Sequence, residues 1–252
     1  AKIGFAEAEE NNLGEKVLAE RWDRWHMCSL CEQGHHGVVS CALGWACWKT
    51  YAGRPETSLL RQAAMTELGN GLFNANHHED ALSVFEAGLS MKRRLGASEA
   101  SILLVQSNIA GSYLMLKRFE EANRMRRDVY SDWLELEGEE HEYTLIAANN
   151  YANSLIELKR FKEAKPLLRK TIPVARRVLG ESHEQTLKTR VLYVMTLYAD
   201  NNATLDDLRE AVATLEDTER TARRALGAAH PVTVGIEGRL RFAREALAAR
   251  ET

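Results

Sequence analysis

Cys28, Cys31, His36 and Cys41 follow one another as Cys-x2-Cys-x4-His-x4-Cys. Two thiolates two residues apart can grip one face of a metal, and a following histidine and cysteine can complete a tetrahedron. The spacing is therefore that of a small structural zinc site. Cys47 and His26 are alternative ligands. A competing reading needs no metal. Val38, Val39, Ala42, Leu43, Ala46 and Cys47 suit a core helix, and free cysteine is an ordinary small core residue. On the sequence both readings stay open. About 50 residues make a poor core alone, which zinc would help. Nothing points to a catalytic zinc, which would need an open coordination position beside a general base.

His141, His183 and His230 each follow a glycine by three residues, and Thr144, Thr186 and Thr233 follow by six. The histidines are 42 and 47 residues apart, which puts them on successive structural units rather than in one coordination sphere. They read as loop closure and helix capping. No phosphate loop, nucleophile elbow or paired-carboxylate motif occurs, so the chain is read as non-enzymatic.

These residues need a frame, and the frame is a repeated phrase. Arg93-Arg94-Leu95-Gly96, Leu134-Glu135-Leu136-Glu137-Gly138, Arg176-Arg177-Val178-Leu179-Gly180 and Arg223-Arg224-Ala225-Leu226-Gly227 are one ending written four times. Glycine ends a helix because it enters the left-handed C′ conformation without steric cost. A period of 42, 42 and 47 residues between those glycines means stacked helical units. Within each unit, apolar residues recur at helical spacing on either side of a short turn. Small residues lock the register, since Gly69 to Ala81, Ala110 to Ala122 and Ala152 to Ala164 are each 12 residues apart. Val194 and Ala211 take these places in the fourth unit, across an insertion at 200–204. Thr204 and Asp207 read as a capping box there, and Thr57 as a cap for the first helix after Pro55. Pro166 and Pro173 predict a kink or irregular turn near 169–173.

The fold class expected is all-α, an array of antiparallel helix pairs. Residues 1–53 form an aromatic, Cys-rich helical module. Residues 54–252 form four helix pairs plus a C-terminal capping helix.

The array resembles the tetratricopeptide repeats of the kinesin light chain type, whose units are 42 residues long. The likeness rests on Asn108-Ile109-Ala110 and Asn149-Asn150-Tyr151-Ala152, on Lys117-Arg118-Phe119-Glu120-Glu121-Ala122 and Lys159-Arg160-Phe161-Lys162-Glu163-Ala164, and on Leu179-Gly180-Glu181-Ser182-His183 and Leu226-Gly227-Ala228-Ala229-His230-Pro231. It covers roughly residues 57–252. The resemblance implies a right-handed superhelix, a tetratricopeptide-like solenoid, whose first helices line a concave groove for an extended peptide. On that face stand Asn70, Ser107, Asn108, Gly111, Asn149, Asn150 and Asn153. Asparagine amides both donate to and accept from a peptide backbone. The alternative is that these amides only bridge neighbouring helices. Glu67 and Leu192 replace the expected asparagine in the first and fourth units.

The function expected is a scaffold or adaptor for a protein or peptide partner. The rivals are a structural subunit of a larger assembly and a zinc-dependent nucleic-acid module at the N-terminus. Composition weighs against the last: net charge is −3, pI is near 6.3, and no Lys or Arg lies between Cys28 and Cys41. No stretch is long and apolar enough for a membrane span. The opening residues lack the order of a secretory leader, and the chain starts without Met, as a piece of something longer would. Four cysteines, all within 28–47, are too few for a disulfide scaffold, which points to an intracellular, cytoplasmic setting.

Overall fold

The four glycines of the repeated phrase do what the sequence asks of them. Gly96, Gly138, Gly180 and Gly227 have φ of 66°, 81°, 96° and 90°, and each stands just past a helix. The computed structural model describes residues 6, 10–11, 13–28, 30, 33–199 and 203–251. Among these there are eleven α-helices and no strand, only an isolated bridge between Met27 and Gly34.

The chain divides into two compact units, Ala1–Arg118 and Phe119–Thr252. The first contains α1 (Glu15–Trp22), a 3-10 turn (Asp23–Trp25), α2 (Gly37–Tyr51), α3 (Leu59–Asn74), α4 (His78–Arg94) and α5 (Glu99–Met115). The second contains α6 (Phe119–Glu137), α7 (Glu142–Glu157), α8 (Phe161–Val178), α9 (Glu184–Tyr198), α10 (Leu205–Leu226) and α11 (Pro231–Glu251). From α2 onward, consecutive helices pack against one another within each unit, and α1 and α2 both contact the 3-10 turn between them.

In the first unit α2 packs most extensively on α3. Trp25, Cys47, Tyr51 and Ala64 form a small buried cluster there, with Leu18, Trp22, Trp48 and Leu60 around it. Two glycines allow the approach. A Cβ on Gly44 would stand 2.7 Å from the Glu67 carbonyl oxygen, and one on Gly71 2.6 Å from that of Ser40. The aromatic, Cys-rich segment is thus laid against the first repeat helix, backbone to backbone.

The register residues are small because their partners are large. A Cβ on Gly69 would fall 2.3 Å from the Phe85 ring. In the second unit Ala152 and Ala164, and Val194 and Ala211, are all 0% exposed within one continuous core. Four residues after each register alanine come Phe85, Arg126, Leu168 and Leu215. Three are the apolar fillers a helix pair needs. The fourth is an arginine.

The glycine-histidine-threonine phrase proves to be a joint. His141, His183 and His230 each accept, through Nδ1, the backbone N–H two residues on, at 3.3–3.4 Å. This satisfies an orphan donor at the start of α7, α9 and α11. The Thr144 hydroxyl donates to the Trp133 carbonyl and that of Thr186 to the Ala175 carbonyl, tying each first helix to the end of the helix before it. Thr233 is buried with no hydrogen-bond partner among the described residues, so within them the last joint lacks this tie.

Two local expectations fail. Helix α8 runs unbroken through Pro166 and Pro173, with no irregular turn at 169–173. Both prolines are on the exposed side, so water can satisfy the carbonyls that lose their N–H partners. The cap of α3 falls on Ser58, not Thr57, and its side chain makes no capping bond. The loop is held instead by Arg61 and Gln62, which donate to the Arg54 and Glu56 carbonyls.

The capping box at Thr204 is present. Thr204 Oγ1 accepts from the Asp207 N–H, while the Asp207 carboxylate accepts from Thr204 N–H and hydroxyl. Lys165 Nζ adds an ion pair at 2.9 Å. Lys165 and Thr204 together hold the Asp207 carboxyl down at about 2. A carboxylate lowered on folding stabilises above its unfolded value, about 3.9, and loses that effect as pH falls through its folded value. Asp207→Asn is expected to lower stability by about 1–2 kcal/mol at pH 7. The difference from wild type should shrink steadily below about pH 4, read from urea midpoints across pH. A difference independent of pH would show that the carboxylate charge is not involved.

Candidate functional site

Two backbone hydrogen bonds join the described residues on either side of the first candidates. His35 N–H donates to the His26 carbonyl and Cys28 N–H to the Gln33 carbonyl, each at 2.8 Å. Cys28 therefore lies beside the isolated bridge between Met27 and Gly34. His36 is the N-cap residue of α2 without a side-chain cap bond, and Cys41 is half-buried on that helix. Cys31, the remaining residue of the expected zinc set, lies outside the described residues. Among the described residues no three of His, Cys, Asp and Glu are grouped as a metal site.

The alternative ligands are otherwise engaged. Cys47 is 0% exposed. Burial, with help from the Glu67 charge, pushes its thiol up to about 12, which disfavours the thiolate a metal requires. His26 Nδ1 lies 3.5 Å from Glu67 Oε1, and that carboxylate raises the affinity of the imidazole for its proton. Glu67, standing where an asparagine was expected, thus serves an internal contact between the turn and α3.

In the first unit two of the candidate polar residues face each other and a third turns to its own helix. Asn108 Nδ2 on α5 points to Asn70 Oδ1 on α3 at 3.5 Å. Ser107 returns its hydroxyl to the Leu103 carbonyl of its own helix. Gly111 faces Phe73, to which an added Cβ would come within 3.8 Å. Here the amides do bridge neighbouring helices.

The second unit differs. Asn149, Asn150 and Asn153 lie on α7. Asn149 is 9% exposed, and its Oδ1 is buried without a hydrogen bond. Asn150 and Asn153 are half-buried, and their side chains make no hydrogen bond among the described residues. Amides left in this condition can pair with an incoming backbone.

Behind them is a residue that the sequence reading passed over. Arg126 on α6 is only 8% exposed. Its Nη1 donates to the Asn150 carbonyl at 3.0 Å, while Nε has no partner. No carboxylate pairs with it among the described residues. Burial pulls its pKa down to about 10, against the attraction of Glu157. Asn123 and Ser154 continue the polar seam, with Ser154 Oγ bonded to Asn123 Oδ1 at 3.1 Å. The signal was available in the register, since the same place holds Phe85, Leu168 and Leu215 elsewhere.

With this geometry in view, the comparisons are consistent. Residues 100–176 match the tetratricopeptide repeat family. No curated protein matches the chain. Among solved structures, a Podosopora anserina protein described as a kinesin light chain with nearly identical TPR-like repeats is 20% identical, with TM-score 0.62, over 79% of this chain and 90% of that one. BtubC (BKLC) from P. vanneervenii is 15% identical, with TM-score 0.59, over 84% and 91%. A Rap protein complexed with competence and sporulation factor is 17% identical, with TM-score 0.57, over 92% and 63%. The fold is that of kinesin light chain-like tetratricopeptide-repeat structures.

Proposed function

On a tetratricopeptide-repeat framework of this kind, we propose that the chain is a non-enzymatic scaffold that binds an extended segment of a protein partner. The observation that carries this reading is the pair of unengaged amides, Asn150 and Asn153, on the first helix of a repeat. A polar side chain on a largely buried helix needs partners, and a peptide backbone offers matching N–H and C=O groups. The structural relative bound to competence and sporulation factor supports the same class of ligand. The first-unit amides contribute less, because Asn70 and Asn108 already face each other.

The test is affinity capture of the partner followed by titration against variants. Asn150→Ala with Asn153→Ala should weaken binding by about 1–3 kcal/mol in total, with thermal stability nearly unchanged. Asn108→Ala should have a smaller effect. Unaltered affinity in the double variant would move the site off α7.

A further inference from the structure

Helix α2 is apolar on both of its faces. Ser40, Gly44, Cys47 and Tyr51 form the buried one. Val38, Val39, Ala42, Trp45 and Ala46 recur at helical spacing on the other, and all are exposed. Val38 is 82%, Val39 55% and Trp45 45% exposed. The only charged residue of the helix is Lys49. A helix that is apolar all round belongs in an interior, and a contiguous exposed apolar patch marks an interaction surface.

The repeat register shows what this face lacks. Counting back one repeat, 42 residues, from Ala81 gives Val39. Ala81, Ala122, Ala164 and Ala211 stand on the second helices of their pairs and are each 0% exposed. There the first helix of the same pair crosses closely. Helix α2 thus has the place of a second helix. Among the described residues it packs on α3, the helix that follows, and more lightly on the 3-10 turn. The open place beside Val39 is that of a helix running antiparallel to α2.

The other end of the array is finished differently. Counting forward 47 residues from Val194 and Leu197 gives Arg241 and Arg244 on α11, both exposed. Arg244 pairs with Glu216 at 2.7 Å. A charged last face closes a repeat array against water. It offers α2 of another copy no apolar seam, which argues against head-to-tail assembly.

A second α2 is the complementary occupant. In an antiparallel pair with its two-fold axis at Ala42, Ala42 meets its own counterpart, Val39 meets Trp45 and Val38 meets Ala46. Small residues at the centre let the helices approach, and larger ones fill the flanks. The two Lys49 side chains lie at opposite ends, about 20 Å apart along the pair, well beyond the screening length of about 8 Å. Two such faces bury on the order of 1,000 Å² in total, the size of a weak, reversible interface.

We propose that the protein self-associates as a two-fold dimer through α2, each copy supplying the helix that the other's α2 lacks. This goes beyond the scaffold reading and does not depend on the amide face of α7.

The test is sedimentation of the full chain over a range of concentrations. Monomer and dimer should exchange with a Kd of roughly 1–100 µM. Val39→Glu should leave only monomer with the unfolding temperature of dilute wild type unchanged, because the side chain is exposed in the single chain. Val38→Glu and Ala46→Lys should each weaken association at least tenfold, and the two together should restore it. Eight positions apart on one helix, they cannot pair within a chain. Asn150→Ala with Asn153→Ala should dimerise as wild type does, so the two readings fail separately. A chain that stays monomeric throughout, or a dimer untouched by Val39→Glu, overturns the proposal. A charge pair that does not rescue overturns the antiparallel seam. Monomers that use Val39 only to hold a helix of another protein overturn the second copy as occupant.

Discussion

Replacing Arg126 by Met should stabilise the protein, by about 1–3 kcal/mol. The side chain is 8% exposed and ion-paired with no carboxylate among the described residues, and burial outweighs the attraction of Glu157, bringing its pKa down to about 10. Moving an unpaired cation out of water costs several kcal/mol, and a single bond to the Asn150 carbonyl offsets only part of that. Met follows the arginine stem without the charge, and Phe85, Leu168 and Leu215 show that the register position accepts an apolar filler. In a chain of this size the gain should raise Tm by roughly 2–4 °C for each kcal/mol. A loss above about 1 kcal/mol would mean that the Asn150 bond and the pull of Glu157 outweigh desolvation. A gain in stability joined to weaker partner binding would mark Arg126 as held in place for the ligand.

The second large effect has the opposite sign. Gly71→Ala is expected to destabilise by about 2–3 kcal/mol, although alanine is the better helix former by about 1 kcal/mol. The new Cβ would stand 2.6 Å from the Ser40 carbonyl oxygen and 3.3 Å from the Cys41 Cα, both backbone atoms that no rotamer change can move. Helix α2 must back away, and Trp25, Cys47 and Tyr51 lose contact with Ala64. Gly88→Ala is the matched control. Its Cβ would meet only the Met65 sulfur at 3.8 Å, so propensity should win by about 0.5–1 kcal/mol. Urea unfolding followed by tryptophan fluorescence suits both, because four of the five tryptophans lie before residue 53. Equal effects from the two substitutions would contradict the backbone-to-backbone crossing.

The helix pairs were legible because their cues are local. A glycine after a helix, a histidine three residues on and an alanine every repeat act through near neighbours in the chain, so position alone carries them. The asparagine face was legible as a pattern, but the use of each amide was not. Asn70 and Asn108, 38 residues apart, meet across two helices. Asn150 and Asn153 belong to the same motif and make no such bond.

The sequence alone settled the helical class and the small residues at the crossings, which follow from backbone sterics and periodicity within about 12 residues, and the repeat period, which follows from the recurrence of the same glycine ending every 42 to 47 residues. Only the tertiary structure could show that Arg126 is buried with no ion-paired carboxylate among the described residues, that Glu67 answers His26, and that Gly44 and Gly71 let two backbones touch. Those outcomes depend on which distant groups share a small volume. Burial and pairing set the energy of a charge or a missing side chain, and neither is a property of the residue by itself.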